Sequence, residues 1–183
     1  MVRLTRRGEM TDRVLDLLGV SLFFHPVADT NQGWAYPVWE KKDRYELVYQ
    51  DNKFELYRNK KVLPMAILFY DYKIIKNDSE IIKSFYDQNF DFRKVLILES
   101  DPKIKPAPDG KGESKIIAYS PDKVVIKVKT DKPAMLFFSD NYYPSWEAKV
   151  NGQKVTILRA DYSFKAVPVS EGESTVELSM RWF

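Results

Sequence analysis

Apolar and polar residues alternate through much of the second half of this chain. In KVVIKVK, Val124, Ile126 and Val128 fall on one side and Lys123, Lys127 and Lys129 on the other, the two-residue repeat of a half-buried strand. The same period sets Tyr162, Phe164 and Ala166 against Ser163 and Lys165, and Val176, Leu178, Met180 and Trp182 against Glu177, Ser179 and Arg181. AMLFF, Ala134 to Phe138, is apolar throughout and predicts a central strand. Turn signals separate these runs: Ser120 to Asp122, Asp131-Lys132-Pro133, and Asn151-Gly152 between WEAKV and QKVTIL. An Asn-Gly pair between alternating runs is the strongest short hairpin signal. Seven strands with regular turns over residues 114–183 predict an antiparallel β-sandwich or jelly roll.

The first hundred residues mix periods. EMTDRVLDLL places Met10, Val14, Leu17 and Leu18 on one helical face, with Gly19 as the stop. VSLFF, Val20 to Phe24, predicts a short buried strand, and a long irregular loop follows with Trp34, Tyr36 and Trp39. YELVYQDNKFELYRN predicts a hairpin turning at Asp51-Asn52. LPMAILFYDYKII, Leu63 to Ile75, predicts one strand, and RKVLILES, Arg93 to Ser100, another. Between them Asn77, with Glu80 three residues on, predicts a capped second helix. DPKIKPAPDGKGE, residues 101–113, predicts a linker or exposed loop. The expected organisation is an α+β segment at 1–100 packed on a sandwich at 114–183, mainly β overall.

Composition narrows the chemistry. The net charge of +3 carries no basic block, so nucleic acid is not an expected partner. The chain has no cysteine, which removes disulfides, thiolate metal sites and a cysteine nucleophile. Its single histidine, His25, cannot by itself make a zinc site or a catalytic triad. Asp140, Glu147 and Asp161 lie near aromatics, but among 26 acidic residues such a triplet is expected from solvated turns. No metal, cofactor or catalytic residue is therefore assigned. The chain opens in a helix-like segment and closes in a strand-like one, as an excised part of a longer protein would.

The stretch SDNYYPSWEAKVNGQKV raises a sharper question. Sugars stack their CH faces on exposed aromatic rings, and flanking Asp and Asn bind hydroxyls. Asp140, Asn141, Tyr142 and Tyr143 have that chemistry, as do Trp34, Tyr36 and Trp39 in the long loop. Strand alternation puts Trp146, Ala148 and Val150 on one face, which makes Trp146 a core anchor beside the Asn151-Gly152 hairpin. Arg159 and Asp161, two apart, are expected to form an ion pair or pin a loop.

SDNYYPSW (139–146), VNGQKV (150–155), LRADYSFKAV (158–167) and EGESTVEL (171–178), in this order, resemble the C-terminal extracytoplasmic part of the bacterial YfhO family. VLDLLGVSLFF and YELVYQDNKFELYRNKKVLPMAIL resemble the preceding part of the same region. Ser145 stands where that family often has glycine, and Ser174 where histidine is common, so no histidine role carries over.

The resemblance implies an extracytoplasmic accessory domain of a polytopic membrane protein related to lipid-linked glycosyltransferases. Such a domain would not be catalytic alone. Its expected partners are the membrane part of its own polypeptide and an envelope glycan or anionic polymer. The alternative is a purely structural or protein-interaction β-sandwich without a ligand. Exposure of the aromatics discriminates between the two.

Overall fold

The computed structural model describes residues 11–27 and 36–181. The chain divides into two compact units, Met1–Pro64 and Met65–Phe183. The boundary thus lies some forty residues before the expected one. The cause is strand pairing: residues 66–98 supply three strands to a sheet that also contains later strands, so they share its core.

In the first unit, helix α1 (Thr11–Leu17) ends at Gly19, which has φ 68°. The Val20 N–H donates to Leu15 O at 2.9 Å and the Gly19 N–H to Asp16 O at 3.1 Å, the paired bonds of a Schellman stop. The buried face of α1 is Thr11, Leu15, Asp16 and Leu17, while Val14 and Leu18 are exposed. The expected face is corrected at Val14 and Leu18, because an ion pair with Arg44 and a hydrogen bond from the Asn59 amide hold Asp16 inward, while Met10 lies outside the described residues. Strands β1 (Leu22–Pro26), β2 (Tyr45–Gln50) and β3 (Phe54–Asn59) form a sheet in the order β1-β3-β2. The β2–β3 hairpin turns where expected, with Asp51 Oδ1 accepting from the Lys53 and Phe54 N–H groups. The strand predicted at 20–24 lies two residues later, and Leu22 and Phe24 face solvent rather than the core.

The second unit is mainly β, with a sandwich of two sheets. Its strands are β4 (Ala66–Phe69), β5 (Asp71–Ile74), β6 (Val95–Leu98), β7 (Gly112–Ser120), β8 (Lys123–Thr130), β9 (Ala134–Asn141), β10 (Trp146–Val150), β11 (Gln153–Val155), β12 (Leu158–Ala160), β13 (Phe164–Val169) and β14 (Gly172–Met180). One sheet runs β11-β10-β14-β8-β7 and the other β4-β9-β13-β12-β6-β5. The core between them joins Val124, Ile126, Val128, Trp146, Ala148, Val176 and Leu178 to Ala66, Ala134, Leu136, Phe138, Val167 and Val169. AMLFF is apolar throughout because β9 is covered on both faces. Ala134, Leu136 and Phe138 enter that core, and Phe137 instead meets Phe69 and Phe164 at ring distances of 5.8 and 5.3 Å.

The predicted strand 63–75 is two strands separated by Tyr70. β4 pairs β9 at one edge of the six-stranded sheet, and β5 pairs β6 at the other. Because one residue joins the two edges, the sheet must curl until they meet near Tyr70. β5 and β6 run parallel, so they need the crossover that helix α2 (Asp78–Tyr86) provides. Asn77 caps α2 as expected, its side chain accepting from the Ser79 and Glu80 N–H groups.

The proline-rich segment before β7 is a fastened loop. The Tyr72 hydroxyl donates to Ile104 O at 2.5 Å, and the Ala107 N–H donates to Tyr70 O at 2.7 Å. A Cβ at Gly110 would lie 2.2 Å from the Tyr70 ring, and one at Gly112 would lie 2.4 Å from Lys129 O, so only glycine permits this approach.

Candidate functional site

Among the residues read as glycan contacts, the structure groups those of SDNYY at one end of the second unit and places Tyr36 and Trp39 in the first unit. Trp34 lies outside the described residues. Tyr36 is buried, and its hydroxyl donates to Asp12 Oδ1. Asp12 also accepts from Lys41 Nζ and the Tyr45 hydroxyl, each at 2.7 Å. Burial alone would raise the Asp12 pKa, but the bonds from Lys41, Tyr36 and Tyr45 and the charge of Arg44 outweigh it and hold it low. Burial and the bond to Asp12 push the Tyr45 hydroxyl up to about 12. Tyr36 therefore belongs to an internal polar cluster that locks α1 to the hairpin. Trp39 is half-buried against the buried His25, with ring centroids 4.6 Å apart. The buried Tyr36 ring has no face free to stack on a ligand, and Trp39 keeps only part of its surface in solvent.

The second-unit group is built on a defect in the sheet. The pairing of β9 with β13 skips from Phe164↔Asn141 to Lys165↔Phe138, so Ser139 and Asp140 bulge out of register. A bulge re-aims side chains. Here it turns the Asp140 carboxylate onto Lys165 Nζ at 2.5 Å, and Lys165 also donates to Asn141 O at 2.9 Å. Strand alternation predicts Lys165 on the outward side of β13. Its side chain is instead 0 % exposed, because β13, like β9, is covered on both faces. Its ammonium lies 3.9 Å from the centroid of the Trp146 ring. Desolvation lowers the Lys165 pKa, and the Asp140 hydrogen bond and charge oppose that shift. An acidic residue in a bulge opposite a lysine is a weak signal, and alternation pointed the other way.

Trp146 lies in the sandwich core, 8 % exposed, and its N–H donates to Tyr143 O at 3.0 Å. Asn151 (φ 50°) and Gly152 (φ 80°) both adopt the left-handed conformation that a two-residue hairpin requires. What remains open to solvent is Asn141, half-buried Tyr142 and Tyr143, which is 60 % exposed. The Tyr142 N–H donates to Ser163 O at 2.6 Å, which brings exposed Tyr162 to the same end. Nearby, Pro144, Trp146, Glu147, Lys154, Val155, Thr156 and Ile157 line an open cleft of about 430 Å³.

Arg159 and Asp161 do not pair with each other. Arg159 Nε lies 3.2 Å from Glu99 Oε1, its Nη1 3.7 Å from Asp78 Oδ1, and its guanidinium 5.2 Å from the Tyr162 ring centroid. Asp161 turns inward at φ 43° and is buried. Its N–H donates to Ile97 O, and its Oδ1 accepts from the Ile97 N–H, both at 2.9 Å. One residue thus substitutes for a strand partner, and with the Ala160↔Leu98 bridge it holds β6 to β12. Asp161 Oδ2 is buried without a hydrogen-bond partner among the described residues. Burial pushes the carboxyl up to about 7, against the lowering effect of the Ile97 N–H bond.

Among the described residues no group of three His, Cys, Asp or Glu could hold a metal ion, and no helix is long and apolar enough to cross a membrane. Residues 108–181 match the family model described as bacterial membrane protein YfhO. No curated protein matches the chain, and no solved structure matches it. The matched span runs from the fastened loop through β14 and contains the Asp140–Lys165–Trp146 cluster, the Asn-Gly hairpin and Asp161. In residues 108–181 the chain is thus similar to a family of bacterial membrane proteins, YfhO.

Proposed function

We propose that this chain is a non-catalytic extracytoplasmic accessory domain of a polytopic membrane protein related to lipid-linked glycosyltransferases. Its role in this reading is to contact an envelope glycan. The single observation that favours a glycan face is the aromatic cluster at the open end of the second unit, where Tyr143 is 60 % exposed beside Asn141, Tyr142 and Tyr162. Large exposed rings next to amide and hydroxyl groups suit the alternating apolar and polar faces of a sugar. The alternative, a bracing or protein-binding sandwich, draws on the burial of Tyr36 and Trp146 and the partial burial of Trp39, which leave a smaller platform than the sequence suggests.

Titration of the domain with solubilised envelope glycan tests the choice. Tyr143→Ala is expected to weaken binding by about two- to tenfold, in line with the ~0.5–1.5 kcal/mol of an aromatic contact, at unchanged thermal stability. Absence of binding by the unmodified domain at millimolar glycan would favour the bracing role. Location has its own test, since this chain has no cysteine. A cysteine introduced at exposed Ser170, in the full-length parent with any other cysteines removed, is expected to react with a membrane-impermeant maleimide on intact cells. Labelling only after lysis would place the domain on the cytoplasmic side.

A further inference from the structure

The outer face of the five-stranded sheet carries charged residues in rows across the strands. Several lysines there are matched by acids: Lys129 with Glu173 and Lys123 with Glu177, both at 3.1 Å, and Lys154 with Glu147 at 2.8 Å, while Lys149 stands between Lys154 and Glu177. One row pairs two lysines and holds no acid. Lys115 of β7 stands directly opposite Lys127 of β8, which stands opposite Thr175 of β14. Asn151 extends the row, its N–H donating to Thr175 O at 2.9 Å and its Oδ1 accepting from the Thr175 N–H at 2.8 Å. With Oδ1 so occupied, the Asn151 amide presents an NH₂ donor.

Lys115 and Lys127 have no ion-pair partner among the described residues. Like charges directly opposite, about 5 Å apart on neighbouring strands, repel and destabilise a sheet. The row therefore offers two cations, a hydroxyl and an amide, and holds no acid. An open cleft of about 560 Å³ lies over it, lined by these four residues with Glu113, Lys129 and Glu173 at its side.

We propose that this row is a binding site for the phosphate-ester groups of an anionic polymer. It lies at the Asn151 end of β10, away from the Tyr143 face, and goes beyond the glycan reading. A chain polymer can follow the single acid-free row. A bilayer surface would instead press its anionic headgroups against Glu113, Glu147, Glu173 and Glu177 as well. The cleft has no aromatic residue, so single-stranded nucleic acid would find no ring to stack on.

The test uses the whole 183-residue chain and a linear oligophosphate, with binding read by calorimetry and by amide chemical shifts. Shifts are expected at Lys115, Lys127, Asn151 and Thr175, with affinity that falls as salt rises. The double variant Lys115→Glu/Lys127→Glu is expected to bind at least about tenfold more weakly. Lys105→Glu, an exposed change in the loop before β7, should leave binding as it is. Lys115→Glu alone is expected to raise Tm by relieving the repulsion, which separates loss of binding from loss of fold.

Undiminished binding by the double variant, or an equal loss in Lys105→Glu, overturns the site. Equally tight, Lys127-dependent binding to phosphatidylglycerol vesicles overturns the polymer in favour of a membrane surface. Neutral dextran is titrated in parallel. Shifts at Tyr143 with dextran but none in the row with oligophosphate sink this proposal alone. The reverse result sinks the glycan reading and supports this one.

Discussion

Between about pH 4 and pH 8 the protein is expected to lose stability as pH rises, and Asp161→Asn is expected to remove most of that loss. The Asp161 carboxyl is buried, its Oδ2 has no hydrogen-bond partner among the described residues, and its pKa is raised from 3.8 to about 7. A raised carboxyl pKa means the folded state binds a proton that the unfolded state has already released. Stability from this group is thus fully present below its unfolded pKa and is lost as pH rises through the folded one. At about 1.36 kcal/mol per pH unit, the displacement corresponds to roughly 4 kcal/mol across the window.

Asparagine keeps an Oδ1 for the Ile97 N–H and tolerates the left-handed backbone, so at low pH it should be close to neutral. Asp161→Ala should differ: it strands a buried N–H, at a cost of about 1–3 kcal/mol at pH 5. Denaturant unfolding of the three proteins across pH measures both effects, and taking differences cancels the other titrating groups. A pH profile shared by the unmodified protein and Asp161→Asn would show that the carboxyl does not carry the loss.

The second large effect concerns Trp146. Its replacement by alanine is expected to cost about 3–5 kcal/mol, because the ring is a core residue of the sandwich and also the surface on which the Lys165 ammonium rests. Phenylalanine should recover part of this by restoring a ring. Lys165 itself should behave in the opposite way to its burial. Lys165→Met keeps the aliphatic stem and returns the half-exposed Asp140 carboxylate to water, so it should be near neutral or stabilising. Asp140→Ala leaves the ammonium buried without its counter-ion and should cost a few kcal/mol, less than the ~3–5 kcal/mol of a fully enclosed pair. A double-mutant cycle on thermal or denaturant unfolding reads the coupling directly. Equal losses in Lys165→Met and Asp140→Ala would mean that the stem packing, and not the charge, is what matters.

Much of this architecture was legible because it is local. The Asn151-Gly152 hairpin needs two left-handed residues in succession, and its dipeptide supplies residues that accept them at little cost. Asn77 caps α2 through bonds to N–H groups two and three residues on. The inward set Val124, Ile126 and Val128 follows from strand period alone. The Trp146 side of β10 followed in the same way.

What tertiary structure decided is the pairing between distant segments. Residues 63–75 read as one strand, and nothing local says that Tyr70 ends one edge of a sheet and begins the other. Strand period separates faces but does not say which face is covered, and β13 is covered on both. Lys165 was therefore assigned to solvent until the β9 bulge brought Asp140 across. The sequence by itself determined the turns, most of the strands and the blocks that resemble the YfhO family, since these depend on residues within a few positions of one another. The fold decided where the charges went. A lysine can enter a core, and an aspartate can replace a strand, only when a partner some 25 to 64 residues away arrives to bond it.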